Sequence, residues 1–461
     1  MIELSRIKKI HFVGIGGAGM SGIAEVLHNM GFTISGSDIA DGSSLRRLRQ
    51  LGIVIGIGHH RNNIRDAGAL VHSSAIAAGN PELVAARRSK LPVISRAEML
   101  AELMRMKFSI AVAGTHGKTT TTSMIATILN RANLDPTFVI GGKLMIEDSG
   151  AKLGSSRYLV AEADESDGSF LQLFPVIAVI TNIENDHLEH YGKMDKLVQA
   201  FTSFANKVPF YGTVVLGSDC PACRRMAAVI NRKVITFGYR AKADVRAERI
   251  RSSAFASSFD LVFQQRRLGG IELTVGGKHN IANALAAVAA ALEIGIDFDT
   301  IHRSLRSFEL PERRFQVLFR NKANMVVDDY AHHPTEIMAT LKMARQSPYR
   351  RIIAVFQPHR YTRLKILMDE FATSFRLADQ VLIAPLYSAN QQAIKNVDGA
   401  RLARRIKRQT GQEARYLDSF PAIKEYLHDT VDDGDAVIFL SAGNLTQLAH
   451  DFAAAMSLRK T

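Results

Sequence analysis

Twice in this chain an apolar run ends in a glycine-rich turn that opens straight into a helical pattern. The first case is "KKIHFVGIGGAGMSGIAEVL", and the second is "FSIAVAGTHGKTTTTSMIATIL" from Phe108. A strand that feeds a helix through such a turn is half of a β-α-β unit, and such units build parallel sheets covered by helices. The remainder repeats this construction in three blocks. In the first, a helix from about Met20 to Met30 is followed by strand-like "FTISGSD", "ALVHSS" and "PVIS", and the helix "RAEMLAELMRM" closes it. The second holds strands "RYLVAEA" and "VIAVITNI", a hairpin-like pair around "QQRRLGGIELTV", and a helix from about Asn280 to Leu292. After the helix "TIHRSLRSF" the third holds "RIIAVFQ", "QVLIAPL" and "DAVIFLSA", each followed by a helical stretch. A length of 461 residues suits about three domains. The blocks divide the chain at 1–106, 107–310 and 311–461.

Bulk composition excludes several classes. Apolar residues make up 47% and charged ones 22%, the balance of a globular chain with real cores. The start, "IELSRIKKIHF", is no secretory signal. No window reaches ~18 uncharged apolar residues, so no membrane insertion is expected. "NALAAVAAALEIGI", interrupted by Glu293, reads as a core helix. The net charge of +14 suits nucleic acid, anionic small substrates or a generally basic surface. Its positive runs, "RRLRQ", "RAERIRSS" and "RLARRIKRQTGQEAR", are scattered and lack interleaved stacking aromatics, so no nucleic acid is expected. The last of them reads as the wet face of a helix. The two cysteines, Cys220 and Cys223 in "DCPACRR", form one C-x-x-C. Such a pair can be redox-active or half of a zinc site, but zinc wants four ligands and there is no second pair. They read as incidental thiols near a helix start, in keeping with a reducing cytoplasm.

The chemistry-bearing motifs begin with the two turns. Gly14, Gly16 and Gly19 spell G-x-G-x-x-G, a phosphate-cradling turn that leaves a nicotinamide dehydrogenase open as a reading. Gly114, Gly117, Lys118 and Thr119 form a shortened P-loop, G-x-x-G-K-T, since Val112 stands where the full motif has its first glycine. Its backbone N–H groups and helix start can still converge on phosphate oxygens. Lys118 can reach the outer phosphates and Thr119 can ligate magnesium. "LVAEADESDGSF" is a strand ending in carboxylates, suited to a metal or to a solvated acidic loop. "TNIENDHLEHYG" puts Asp186 and His187 at the end of another strand, a second metal position beside Glu162. Asn280 and Asn283 in "GGKHNIANALAA" suit a helix cap and a surface amide. Arg313 and Arg314 in "PERRFQ" suit a solvated pair. His359, Arg360 and Arg363 in "FQPHRYTR" suit either a bidentate grip on carboxylate or phosphate, or a surface.

In this order and spacing, "GTHGKTTTT", "EADESDGSF", "HNIANALAA", "DDYAHHPTE" and "FQPHRYTR" resemble the Mur ligase family of cell-wall synthesis, from about His11 to "SAGNLTQLA". The opening "GIGGAGMSGIAEVL" is similar to that of the alanine-adding member and differs from the first loop of the muropeptide-recycling ligase. The resemblance implies an α/β fold of three domains. They are a Rossmann-like N-terminal domain for a UDP-sugar, a P-loop-type central ATP-binding domain, and a Rossmann-like C-terminal domain for the amino acid. Gly14, Gly16, Gly17, Ala18, Gly19 and Met20 then cradle a UDP pyrophosphate, with Asp38 at the uridine end and no nicotinamide. The implied reaction is ATP-dependent amide formation in a cytoplasmic enzyme of peptidoglycan synthesis, which serves cell shape and division. The lactyl carboxylate of UDP-N-acetylmuramate takes the γ-phosphate as an acyl phosphate, and the amine of L-alanine displaces phosphate. The alternative is a related ligase that joins another amino acid or a peptide.

By motif position, Gly114, Thr115, His116, Gly117, Lys118, Thr119 and Thr120 hold ATP, with Asn280, Asn283, Arg314 and Asp329 around the nucleotide. Thr119 and Glu162 ligate one magnesium or manganese ion and His187 a second. Arg360 and Arg363 hold the muramyl carboxylate, His359 joins them in the UDP-sugar site, and Tyr330 and His332 lie near alanine. Lys118, His187, Arg360 and Arg363 make the catalytic set. Two departures stand out. Ser441 occupies a position where glycine is expected in "GAG", and "QAFTSFANK" offers no match for the carbamylated lysine of other members, so none is expected.

Overall fold

The computed structural model describes residues 7–144 and 149–458, and the charged start Met1–Arg6 lies outside them. Among these residues the strands form three sheets. The first comprises β1 (Lys9–Val13), β2 (Thr33–Asp38), β3 (Val54–Ile57), β4 (Ala69–His72) and β5 (Val93–Ser95), in the order β3-β2-β1-β4-β5. Every pairing in it is parallel. The chain enters at the middle strand, winds out to β3, then returns across β1 to β4, which makes a switch point at the end of β1. The helix Ala18–Asn29 starts there and buries Met20, Ile23, Ala24, Val26 and Leu27. Their three- and four-residue spacing is that of one helix face.

Under this sheet lies a polar network that sequence patterning gave no reason to expect. Glu82, in the helix Pro81–Arg88, is fully buried. Its carboxylate accepts from Ser37 Oγ at 2.6 Å, Asn63 Nδ2 at 2.5 Å and the His60 N–H at 3.1 Å, and lies 3.5 Å from His11 Nε2. Burial opposes its charge, but the bonds from His11, Ser37, Asn63 and the His60 backbone outweigh burial and bring its pKa from 4.5 to about 2. A depressed carboxyl pKa stabilises the fold above the unfolded value and loses that contribution as pH falls through the folded one. Glu82→Gln should therefore cost about 3 kcal/mol at neutral pH, with the difference from wild type closing between about pH 4.5 and 2. Urea unfolding at several pH values checks this, and an undiminished difference at the acid end would contradict it.

The second sheet runs β15-β14-β13-β12-β11-β10-β6-β9-β7-β8. Its strands are β6 (Phe108–Ala113), β7 (Thr137–Leu144), β8 (Ser149–Lys152), β9 (Tyr158–Glu162), β10 (Ile177–Ile180), β11 (Thr213–Gly217), β12 (Lys233–Gly238), β13 (Val245–Ser252), β14 (Ser257–Phe263) and β15 (Arg266–Leu273). The expected hairpin is β14 and β15, joined by Gln264 and Gln265 at φ 46° and 67°. Two positive φ values in a two-residue turn match the right-handed twist of the strands, although glutamine is an unusual occupant. The apolar run after Asn283 is a core helix, Lys278–Ile294, with residues 284–291 all buried.

The third sheet, β16-β17-β21-β18-β19-β20, comprises β16 (Gln316–Arg320), β17 (Met325–Asp329), β18 (Arg351–Phe356), β19 (Gln380–Ile383), β20 (Glu413–Tyr416) and β21 (Asp435–Leu440). It is parallel except for β16, which runs antiparallel to β17. In the basic helix Gly399–Thr410, Leu402, Ala403 and Ile406 are buried, and Arg401, Arg404 and Arg408 face water. The arginine run is a solvated face, as its pattern indicates. The chain forms two compact units. One comprises Met1–Ile250, Phe259–Glu272 and Asn280–Pro311. The other comprises Arg251–Ser258, Leu273–His279 and Glu312–Thr461. Among the described residues no helix is long and apolar enough to cross a membrane.

Candidate active site

In the first unit β6 is flanked by β9 and β10, so the chain passes from one side of β6 to the other between them. Ligands in parallel sheets bind at the carboxyl ends of strands at such a reversal. The register places Val112 opposite Glu162 on one side, and Ala113 opposite Ile180 on the other. The shortened P-loop, the acidic run and the "TNIENDH" segment therefore emerge together. Gly114 (φ 128°) and Gly117 (φ 83°) occupy backbone regions that side chains avoid. A Cβ on Gly114 would stand 2.1 Å from Thr181 Oγ1, and one on Gly117 would stand 2.3 Å from Asn283 Oδ1. Gly117 precedes the helix Lys118–Arg131, which starts without a side-chain cap and leaves its first N–H groups for a ligand.

The loop is clipped to the segment after β10. Thr115 N–H donates to Asn182 O at 3.0 Å, His116 N–H donates to Asn182 Oδ1 at 2.9 Å, and Glu184 N–H donates to Thr115 Oγ1 at 2.9 Å. Lys118 folds back, donating to Gly114 O at 2.6 Å and to the Glu165 carboxylate at 2.9 Å. Burial works against its charge, but Glu165, Asp164 and Glu162 outweigh that and raise its pKa above the ordinary lysine value. Asp164 is held low against burial by Lys118, the Ser166 N–H and Arg96. His187 lies seven residues beyond β10 at φ 57°, farther from the strand than its spacing implied. Its Nε2 is 3.5 Å from Asp186 and 3.9 Å from Glu165. Glu162 accepts the Gly141 N–H at 2.8 Å. Thr119, Asn280 and Asn283 are buried, and Asn283 Nδ2 donates to Asn280 Oδ1 at 3.4 Å. Three carboxylates around one lysine, with a threonine hydroxyl and an imidazole in the same loops, are a donor set that suits a hard divalent cation.

At the first sheet's switch point Gly14 (φ 77°) donates to Ser37 O at 2.8 Å, and Gly16 N–H donates to Asp38 Oδ2 at 2.8 Å. The other oxygen of Asp38 accepts the Ile39 N–H at 2.8 Å, so this carboxylate braces the glycine loop. Gly17 precedes the helix that begins at Ala18, again with no side-chain cap. A Cβ on Gly19 would stand 2.9 Å from Arg96 Nη1. Glycine there admits a guanidinium beside the phosphate-type turn.

The second unit gathers the later motifs at the ends of β17, β18 and β21. Asp329, the last residue of β17, accepts the Ala331 N–H at 2.7 Å and the Phe315 N–H at 2.8 Å. Burial lifts its pKa to about 6 against the pull of Arg314. Arg313 and Arg314 lie 5.0 and 5.1 Å from the Tyr330 ring centre, so they are not a free solvated pair. Tyr330, His332, His359 and Tyr387 form a run of ring contacts at 5.2, 5.8 and 5.5 Å. Burial first, then Arg363 and Arg360, lower the His359 pKa to about 4, so its Nδ1 is free to accept from Arg363 Nη1 at 3.3 Å. Arg363 is buried, and Arg360 sits at φ 68° immediately before the helix Tyr361–Ile366. A non-glycine residue in that region is strained and is held by its surroundings. Ser441, where glycine was expected, has no positive φ to satisfy. Its hydroxyl donates to Gln357 Oε1 and accepts the Gly443 N–H, both at 2.8 Å.

Glu165, Asp164, Arg96 and Asn182 carry no assignment from sequence reasoning. Glu165 and Asp164 lie in the quoted acidic run, but nothing in the spacing says which carboxylate turns under Lys118.

Three family models match the chain: the Mur ligase family catalytic domain over residues 9–108, the Mur ligase middle domain over 112–291, and the Mur ligase glutamate ligase domain over 313–443. The UDP-N-acetylmuramate–L-alanine ligase of Pelobacter propionicus is 49% identical over 444 residues, 96% of each chain. That of Rhizobium etli is 47% identical over 95% of each. Among solved structures, the UDP-N-acetylmuramate–alanine ligase of Thermotoga maritima superposes with a TM-score of 0.84 at 30% identity, covering 98% of this chain and 100% of that one. A murein peptide ligase from Psychrobacter arcticus gives 0.72 at 26% identity, covering 97% and 98%.

Proposed function

The chain belongs to the Mur ligase family, and from that premise we propose that it joins L-alanine to the lactyl carboxylate of UDP-N-acetylmuramate at the expense of ATP, in peptidoglycan synthesis. The observation that carries this reading is near-half identity to L-alanine ligases along almost the whole chain. The shortened P-loop with its ring of carboxylates supports it, because a dehydrogenase needs neither.

A carboxylate is a poor acylating agent, and phosphorylation gives it a leaving group. The protein's task is to align anions that repel each other. Lys118 turns its ammonium to the outer phosphates of ATP, and the uncapped helix start behind Gly117 supplies N–H donors. Thr119, Glu162 and His187 would hold magnesium or manganese, which neutralises phosphate charge. Asn280 and Asn283 bind the nucleotide, as by motif position do Arg314 and Asp329. Arg360 and Arg363 hold the muramyl carboxylate, with His359 neutral beside them. Tyr330 and His332 receive the alanine amine. Gly14, Gly16, Gly17 and Gly19 cradle the UDP pyrophosphate, with Asp38 bracing that loop.

A panel of L-alanine, glycine, L-serine and a tripeptide, each offered with UDP-N-acetylmuramate and ATP, tests the reading through the mass of the amide product. L-alanine should be the preferred acceptor, and exclusive use of the tripeptide would replace this reading by that of a peptide ligase. Glu162→Ala should raise the magnesium concentration needed for half-maximal rate by an order of magnitude or more. Unchanged metal dependence would remove Glu162 from the metal site.

A further inference from the structure

Cys220 and Cys223 are the chain's two cysteines. Cys220 follows β11 and stands immediately before the short helix Pro221–Ala227, half-buried, while Cys223 lies one turn on and is fully buried. The Cys223 side chain, helped by the Cys223, Ile183 and Ala222 N–H groups, favours a Cys220 thiolate against burial and lowers its pKa to about 6, whereas the presence of Cys220 and burial push Cys223 up. Cys220 Sγ also accepts the Ile183 N–H at 3.4 Å and lies 3.5 Å from the Ile183 carbonyl. Ile183 stands between Asn182 and Glu184, the two residues that clip the phosphate loop at Thr115 and His116. Cys220 is thus half-buried and in contact with the segment that anchors the nucleotide loop, and Cys223 is fully buried.

We propose that Cys220 and Cys223 form a reversible dithiol–disulfide site for low-molecular-weight disulfides, and that its state is transmitted to the nucleotide loop through Ile183. The accessible sulfur of an attacking pair is its thiolate, and the resolving thiol needs no exposure. Cys220 attacks one sulfur of the small disulfide RSSR, giving a mixed disulfide and RS⁻, which takes up the proton that Cys220 released. Cys223 then attacks the Cys220 sulfur, and the second RS⁻ leaves with the Cys223 proton. Two protein thiols lose two electrons and two protons in all, and RSSR becomes two RSH. Once in the disulfide, Cys220 has no S–H and no charge to offer Ile183. The anchor of the loop weakens, and ATP binding weakens with it.

The test uses the full-length protein and glutathione disulfide. Thiol titration of the unfolded chain should fall from two to none, and the intact mass should fall by two hydrogens. Calorimetry should show a several-fold weaker ATP Kd, restored by dithiothreitol. Cys220→Ser should retain basal activity and an ATP Kd indifferent to oxidant. These readouts need no turnover, so they stand apart from the identity of the amino-acid substrate. Retention of both thiols overturns the proposal, as does a stable glutathione adduct with Cys223 still titratable, or a disulfide linking two chains. A disulfide that forms without changing the ATP Kd overturns the coupling to the loop.

Discussion

Lys118→Ala is expected to lower kcat by ~10²–10³ or more, the size of effect seen when a fixed donor to a developing charge is removed. Lys118 is the lysine of the shortened P-loop, and its ammonium is already oriented by Gly114 O, Thr115 O and Glu165. Its loss also leaves Glu165 buried without its counter-charge, and breaking one side of a buried pair costs ~3–5 kcal/mol. The variant should therefore be both inactive and less stable. The double variant Lys118→Ala with Glu165→Gln separates the two effects: the neutral amide should restore much of the unfolding midpoint and none of the turnover. Circular dichroism melts beside ADP-release rates check this. Near-normal turnover in either variant at saturating metal would remove the nucleotide from this loop.

The second large effect divides the third sheet's motifs by the step they serve. Arg360→Lys keeps the charge but loses the planar fork that grips a carboxylate through two bonds. Each charge-assisted bond of this kind is worth about 1.5–3 kcal/mol. The lysine variant should accordingly form far less acyl phosphate even without alanine. His332 belongs to a different loop, where its ring bonds to Tyr330 O at 2.9 Å and packs edge-on against Tyr330. His332→Ala should leave acyl phosphate formation largely intact and raise the alanine concentration required. Borohydride trapping of the acyl phosphate in the absence of alanine reads both. Equal loss in the two variants, or loss in His332→Ala alone, would refute this division.

What could be read from the chain beforehand was whatever repeats or is spaced by a loop. The strand runs that are buried on both faces, such as β6, β9, β18 and β21, announced themselves as unbroken apolar segments. β3 carries a similar β-branched apolar run, "IVIGI", yet the strand's own residues are exposed or half-buried, with Val54 75% exposed. An apolar run alone therefore does not tell a buried strand from an outer one. β16 pairs with β17 through a register shift between Val317 and Phe319, which breaks its period-two pattern. In the site, the glycine turns and the lysine were visible because loop geometry demands those residue types at fixed offsets. Glu165, Arg96 and Glu82 were invisible for the converse reason. Each is an ordinary charged residue in an ordinary helix or loop, and only the packing of distant segments turns it inward. Ser441 is instructive too: a missing glycine looked like a defect, yet its hydroxyl closes a turn that glycine could not.

The most direct test of the whole account is phosphate release measured with UDP-N-acetylmuramate, ATP, magnesium and L-alanine, each withheld in turn. Sustained release of ADP and phosphate is predicted only when all four are present, with no reduced-nicotinamide signal. Turnover that ignores alanine or the sugar nucleotide would contradict the account, as would tight NADH binding at the "GIGGAG" loop without any affinity for the UDP-sugar.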